Sequence, residues 1–129
     1  RALNIDFSTL LDHEMRPANP IREVLTAGRT PVIRNVEAGC EIRILSSAEA
    51  VGSTEVYDIR FSAGAALESD PHEIGTIEHL TVLEGTLTVS SAEETVIAAT
   101  GDTIRYSADV PHAIRAEAAA RALLIVQGP

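Results

Sequence analysis

The sequence predicts an all-β fold, either a sandwich or a barrel. From Pro31 onward, short runs rich in Val, Ile, Thr and Leu recur every ~8–12 residues with turn residues between them. No interior segment holds a helical period over several turns. Hydrophobic residues make up 45% of the 129 residues, yet aromatics are only 3% and tryptophan is absent. The core must therefore be built from Val, Ile, Leu and Ala, in one domain at this length.

Residues 1–12 are expected to form a short helical end. Asp6 is a good N-cap, and Phe7, Leu10 and Leu11 fall on one face. Residues 13–30 are expected to be a linker, since Pro17, Pro20 and Gly28, with Pro31 just beyond, break any long element. One helical turn is expected within it, around Ile21 to Leu25. The β signal then covers 32–36, 41–46, 54–62, 77–83, 86–90, 94–98, 102–106, 112–117 and 121–126. Glu84-Gly85 reads as a hairpin-like junction, Glu93-Glu94 as a solvated hairpin tip and Gly101-Asp102 as a turn. The alanines at 118–120 read as a strand-to-strand turn. The chain starts at Arg1 and its one methionine is Met15, so a piece of a longer protein is expected.

Charge and cysteine content exclude several function classes. The net charge is −9, and all ten basic residues are arginines with no legible cluster. Nucleic-acid binding by this piece is excluded on that ground, because phosphate contacts need grouped cations. One cysteine, Cys40, rules out an internal disulfide and a Cys-rich zinc module. No stretch approaches the ~20 apolar residues of a membrane helix, and no signal peptide is present, so the reading is cytoplasmic with no membrane partner. There is no Gly-x-Ser-x-Gly nucleophile turn and no phosphate loop.

The chemistry concentrates between Asp70 and His112. His72 and Glu78 are six positions apart, roughly 20 Å on a straight strand at ~3.3 Å per residue. They can meet only if the chain doubles back, and Gly75 offers the bend. His112 has to arrive from another strand, stiffened by Pro111. Imidazole and carboxylate donors with no thiolate suit Zn, Ni, Fe, Mn or Cu. His79 adjoins Glu78, so strand alternation turns it to the other face, and His13 lies in the linker. Tyr57, Ile59 and Phe61 share one face, as do Ile104 and Tyr106. The Tyr57 and Tyr106 hydroxyls are candidate ligand contacts, and Arg60 and Arg105 are candidates to balance an anionic ligand.

These residues resemble the cupin family. Glu78, followed after six residues by Gly85, is similar to the end of the first cupin motif. His72 falls on that motif's first histidine, and Ile74 stands where the second is usual. Gly101, followed after ten residues by His112, resembles the second motif, with Ser107 and Asp109 at its proline and inner glycine positions. The strings Pro71-His72-x-x-Gly75-x-x-Glu78, Val82-Leu83-Glu84-Gly85, Gly101-Asp102-x-Ile104-Arg105-Tyr106 and Ala108-Asp109-x-Pro111-His112 are closest to cupin domains carried by XRE-type transcriptional regulators. Arg1 to Leu11 is similar to the end of an XRE helix-turn-helix domain.

The resemblance implies a cupin (double-stranded β-helix, jelly-roll) barrel over 31–129, preceded by the tail of a DNA-reading domain over 1–12. It implies a divalent transition metal (Zn, Ni, Fe or Mn) on His72, Glu78 and His112, an incomplete set by the family's standard. A small-molecule effector would bind at Tyr57, Tyr106, His72 and His112. DNA would be met only through a helix-turn-helix domain outside this chain, and the protein would act as a homodimer with no catalytic residue. The alternative is a small metal-dependent cupin enzyme, such as a dioxygenase, isomerase or decarboxylase, against which the missing second histidine counts.

Overall fold

A computed structural model describes residues 20–129. Ten strands follow in chain order: β1 Val32–Asn35, β2 Cys40–Ile44, β3 Thr54–Phe61, β4 Ala66–Ser69, β5 Ile77–Glu84, β6 Thr86–Ser91, β7 Glu94–Ala99, β8 Thr103–Ser107, β9 His112–Arg115 and β10 Ala120–Gln127. The helical end expected over 1–12, and His13, lie outside the described residues. All nine expected runs are strands. The tenth, β4, escaped because Ala-Leu-Glu-Ser has little strand propensity; its pairing with β9 makes it a strand.

The helical turn expected around Ile21 to Leu25 lies instead at Ala27–Arg29, as one 3-10 turn. Val24 and Leu25 are exposed, and an isolated turn with no face to pack gains too little to form. Ala27–Arg29 is closed by Thr30, whose amide and hydroxyl both donate to the Thr26 carbonyl at 3.0 and 2.9 Å, and Pro31 follows.

The strands form two antiparallel sheets, one ordered β1-β2-β3-β10-β5-β8 and the other β4-β9-β6-β7. Every other residue of a strand turns inward. Across the larger sheet, register lines up Ile42, Ile59, Ala122 and Val82 in one inner row, and Tyr57, Leu124, Leu80 and Ile104 in the next. Across the smaller sheet, Leu67, Ile114 and Val89 form an inner row. The core between them is aliphatic: Ile59, Leu80, Leu87, Val82 and Val89 are its largest fully buried side chains. Each contributes about 1.5–3 kcal/mol by leaving water. Cys40 opens β2 inside this core, and burial pushes its thiol up, away from reactivity.

The β6–β7 hairpin closes at Ala92-Glu93, and Ala92 takes a φ of 52°. Among the described residues no helix is long and apolar enough to cross a membrane.

Candidate functional site

The register that builds the core also builds a polar end. One inner row beyond Tyr57 and Leu80, the ladder aligns Glu55, Val126, Glu78 and Tyr106. In the facing sheet, the row beyond Leu67 and Ile114 aligns Ser69, His112 and Ser91. Glu78 thus comes from one sheet and His112 from the other. His72 sits in the connection that crosses between the sheets, from β4 to β5.

That crossing doubles back as the spacing required. Gly75 adopts a φ of +94°, in the left-handed region that side chains avoid. The turn is laced to the loop ahead of His112. The His72 amide donates to the Ala108 carbonyl at 2.8 Å, the Ala108 amide to the Thr76 carbonyl at 2.9 Å, and the Gly75 amide to the Asp109 carboxylate at 2.9 Å. The Thr76 amide and hydroxyl close the turn on the Glu73 carbonyl, at 3.0 and 2.7 Å. These bonds bring the two histidine-bearing loops to one place.

His72, Glu78 and His112 each offer a donor atom within 4.8 Å of the others. Glu78 Oε2 lies 3.3 Å from His72 Nε2 and 3.2 Å from His112 Nε2. Two donors on a tetrahedral ion at about 2.0–2.1 Å are themselves ~3.3 Å apart, so the spacing fits. Glu78 is 3% exposed, and its other oxygen accepts the Tyr106 hydroxyl at 2.6 Å. Burial and that carboxylate push the Tyr106 phenol well up, so it remains a donor.

The tautomer of His112 follows from its neighbours. Nδ1 lies 2.8 Å from the Val110 carbonyl, which can only accept, so Nδ1 holds a proton and Nε2 is the ring atom turned to Glu78. The side chain is 2% exposed, and Nε2 has no hydrogen-bond partner. It lies 3.2 Å from Glu78 Oε2, and with no proton or ion between them the two would face each other as lone-pair atoms. A buried arrangement of this kind asks for a proton or a cation between the two atoms. The donor set therefore fits a divalent transition metal with one side left open. Ile74, at the place of the family's second histidine, is 85% exposed and supplies no donor.

A cavity of about 440 Å³ opens beside this cluster, lined by Glu55, Tyr57, His72, Glu73 and Glu78 and walled by Ile33, Ile42, Ile59, Leu124 and Val126. The Tyr57 hydroxyl donates to Glu55. Tyr106 and His112 stand behind Glu78, and neither is on the cavity wall; of the four expected ligand contacts, Tyr57 and His72 line it. Arg60 and Arg105 do not line it either: Arg60 pairs with Glu41 and Arg121, and Arg105 with His79, on the outer face of the larger sheet. The expected balance for an anionic ligand is therefore missing from this cavity. His79 does face outward and meets Gln127 at 2.9 Å. Glu55 went unremarked in the sequence and carried no signal there. Asp109 was placed as a motif position ahead of Pro111 and His112, but its bond to the Gly75 amide was not foreseen.

The two-sheet barrel and its inward His-Glu-His cluster define a cupin domain. Residues 57–126 match the Cupin_2 family, described as cupin domain, and the chain belongs to that family. It is similar to the HTH-type transcriptional regulator SutR of Escherichia coli K12, 39% identical over 61 residues, covering 47% of this chain and 34% of SutR. A crystal structure of an HTH_3 family transcriptional regulator from Vibrio cholerae superposes with a TM-score of 0.66 at 30% identity, over 70% of this chain and 52% of that one. The Cupin_2 domain of an XRE family transcriptional regulator from Enterobacter cloacae superposes with a TM-score of 0.65 at 26% identity, over 70% of this chain and 98% of that one. The match thus spans about a third of SutR and about half of the Vibrio protein.

Proposed function

We propose that this chain is the effector-binding cupin domain of an XRE-type transcriptional regulator. A small metabolite enters the cavity beside a divalent ion held by His72, Glu78 and His112. The observation that carries the reading is the cavity itself, about 440 Å³, with apolar walls and with His72 and Glu78 of a metal-competent triad on its lining. Its likeness to the cupin domain of an XRE regulator supports the regulatory context. A bound ion supplies an open coordination position and positive charge at the buried end of the cavity. Glu78 is held in place by Tyr106, His112 by the Val110 carbonyl, and His72 by the Ala108 carbonyl. The exposed His72 side chain lies on the solvent side of the cluster.

Effector binding acts by preferring one of two states of the full protein, and the helix-turn-helix domain reads the difference. The regulator works as a homodimer, because such readers address two half-sites. Elemental analysis of the purified chain is expected to give close to one transition metal per chain, and His112→Ala to lose it. In the full-length protein, an effector that raises the melting temperature must also change operator affinity, and operator DNA must change effector affinity by the same factor. Metal below a tenth of stoichiometry after reconstitution, with no ligand-linked change in operator binding, overturns the proposal.

A further inference from the structure

We propose that the ligand of this cavity carries a positively charged amine head on an apolar body, with the head held at the Glu55–Tyr57 pair and Glu73 adding negative charge beside it. This rests on reading the cavity as a small-molecule site and names the class of molecule it takes.

The wall is apolar on one side and made of acceptors on the other. Ile33, Ile42, Leu124 and Val126 present hydrocarbon. Glu55 has two acceptor bonds filled, by the Gly52 amide at 2.9 Å and by the Tyr57 hydroxyl, of about four that a carboxylate can take. Tyr57 has spent its only proton on Glu55, so what its oxygen still offers is a lone pair. Glu73 is exposed on the cavity wall.

Among the described residues no arginine lines the cavity, and the chain contains no lysine. A carboxylate or phosphate guest would meet lone pairs on Glu55, Tyr57 and Glu73 with no cation to offset them, while an ammonium meets a partner at each. A divalent metal on His72, Glu78 and His112 would keep one positive charge after Glu78 but would not neutralise Glu55: Glu55 and Glu78 sit on strands two places apart, about 10 Å backbone to backbone. The net charge of −9 also draws cations toward the protein.

The test uses three probes of one length, n-pentylamine, 1-pentanol and pentanoate, titrated calorimetrically near neutral pH. Each is run on the zinc-loaded chain and on the metal-stripped chain. Pentylamine is expected to bind about tenfold more tightly than pentanol in both forms, and pentanoate more weakly than pentanol in the metal-stripped form, where no ion can take its carboxylate. Glu55→Gln keeps one acceptor oxygen for the Gly52 amide and turns an NH2 toward the Tyr57 oxygen, which can accept it, and it should narrow the amine preference to within about threefold while leaving pentanol within about twofold. Glu73→Gln, a change at an exposed side chain, should narrow the preference partially.

Pentanoate binding to the metal-stripped chain as well as pentylamine overturns the inference and leaves the small-molecule reading standing. So does an amine preference that survives both glutamine variants. A preference that vanishes on stripping the metal means the amine was a metal ligand, and also overturns it. If none of the three binds in either form, the small-molecule reading fails together with the inference.

Discussion

Asp58 shows how much one side chain outside the cavity does for the fold. It lies on the outer face of β3 at 4% exposure, accepts Arg121 Nε and Nη2 at 3.0 and 2.8 Å, and has Arg43 Nη1 at 3.5 Å. The Arg121 hydrogen bonds hold its carboxyl below the usual range, against the upward push of burial. A folded carboxyl that resists protonation contributes stability in full above the unfolded value near ~3.9 and loses it as pH falls through the lower folded value. Asp58→Asn is expected to lower the thermal midpoint by roughly 3–6 °C near neutral pH. The variant should also lose less of its midpoint than the parent on going from about pH 5 to about pH 3, followed by circular dichroism. Glu55, held low by the Gly52 amide and then by Tyr57, slopes the same way in both proteins and cancels from the comparison. At this scale the sequence marked His72, Glu78 and His112 because glycine and proline punctuate their spacing. It did not mark Glu55, which stands in an ordinary strand and reaches the cavity only by register.

Among elements, the β5–β6 junction shows how a turn residue and a distant strand constrain one another. Gly85 takes a φ of +88°, and a Cβ there would lie 3.0 Å from the Ala119 carbonyl oxygen and 3.0 Å from the Ala120 Cβ. Both belong to the approach to β10, the strand that pairs with β3 and β5 at the middle of the larger sheet. Gly85→Ala therefore combines left-handed backbone strain with a clash against main chain, and is expected to cost about 2–3 kcal/mol. Urea denaturation, with an unchanged slope and a lower midpoint, checks it. The glycine was legible as a turn, and the clash was not, since nothing local says that residues 119 and 120 lie against it. For β4 the strand itself was illegible: four residues of weak propensity become a strand because Leu67 stands opposite Ile114 and Ser69 opposite His112.

For the molecule as a whole, the metal proposed at the junction of the two sheets ties site to stability. Glu78 belongs to one sheet, His112 to the other and His72 to the crossing between them, so an ion on all three binds only the folded form. A ligand exclusive to the folded state at a hundred times its dissociation constant stabilises by about 2.7 kcal/mol. Saturating zinc is therefore expected to raise the melting temperature by about 10 °C over the chelator-treated chain, and His112→Ala to abolish the rise, as read by scanning calorimetry. A zinc response of equal size in His112→Ala would place the ion elsewhere.

The sequence by itself determined the all-β class, nine of the strands, the turns between them and the His72, Glu78 and His112 set. All of these depend on local signals: alternation at a period of two, strand propensity, and glycine or proline where the chain must bend. Tertiary structure alone decided that the Glu55 and Glu78 carboxylates share a row through β10, that Tyr106 stands behind Glu78, that Asp109 ties down the Gly75 turn, and that Arg60 and Arg105 face away from the cavity. Alternation tells which residues share a face, but not which strand lies beside which. That is set by pairings between residues far apart in the chain, where packing of the whole core selects the register.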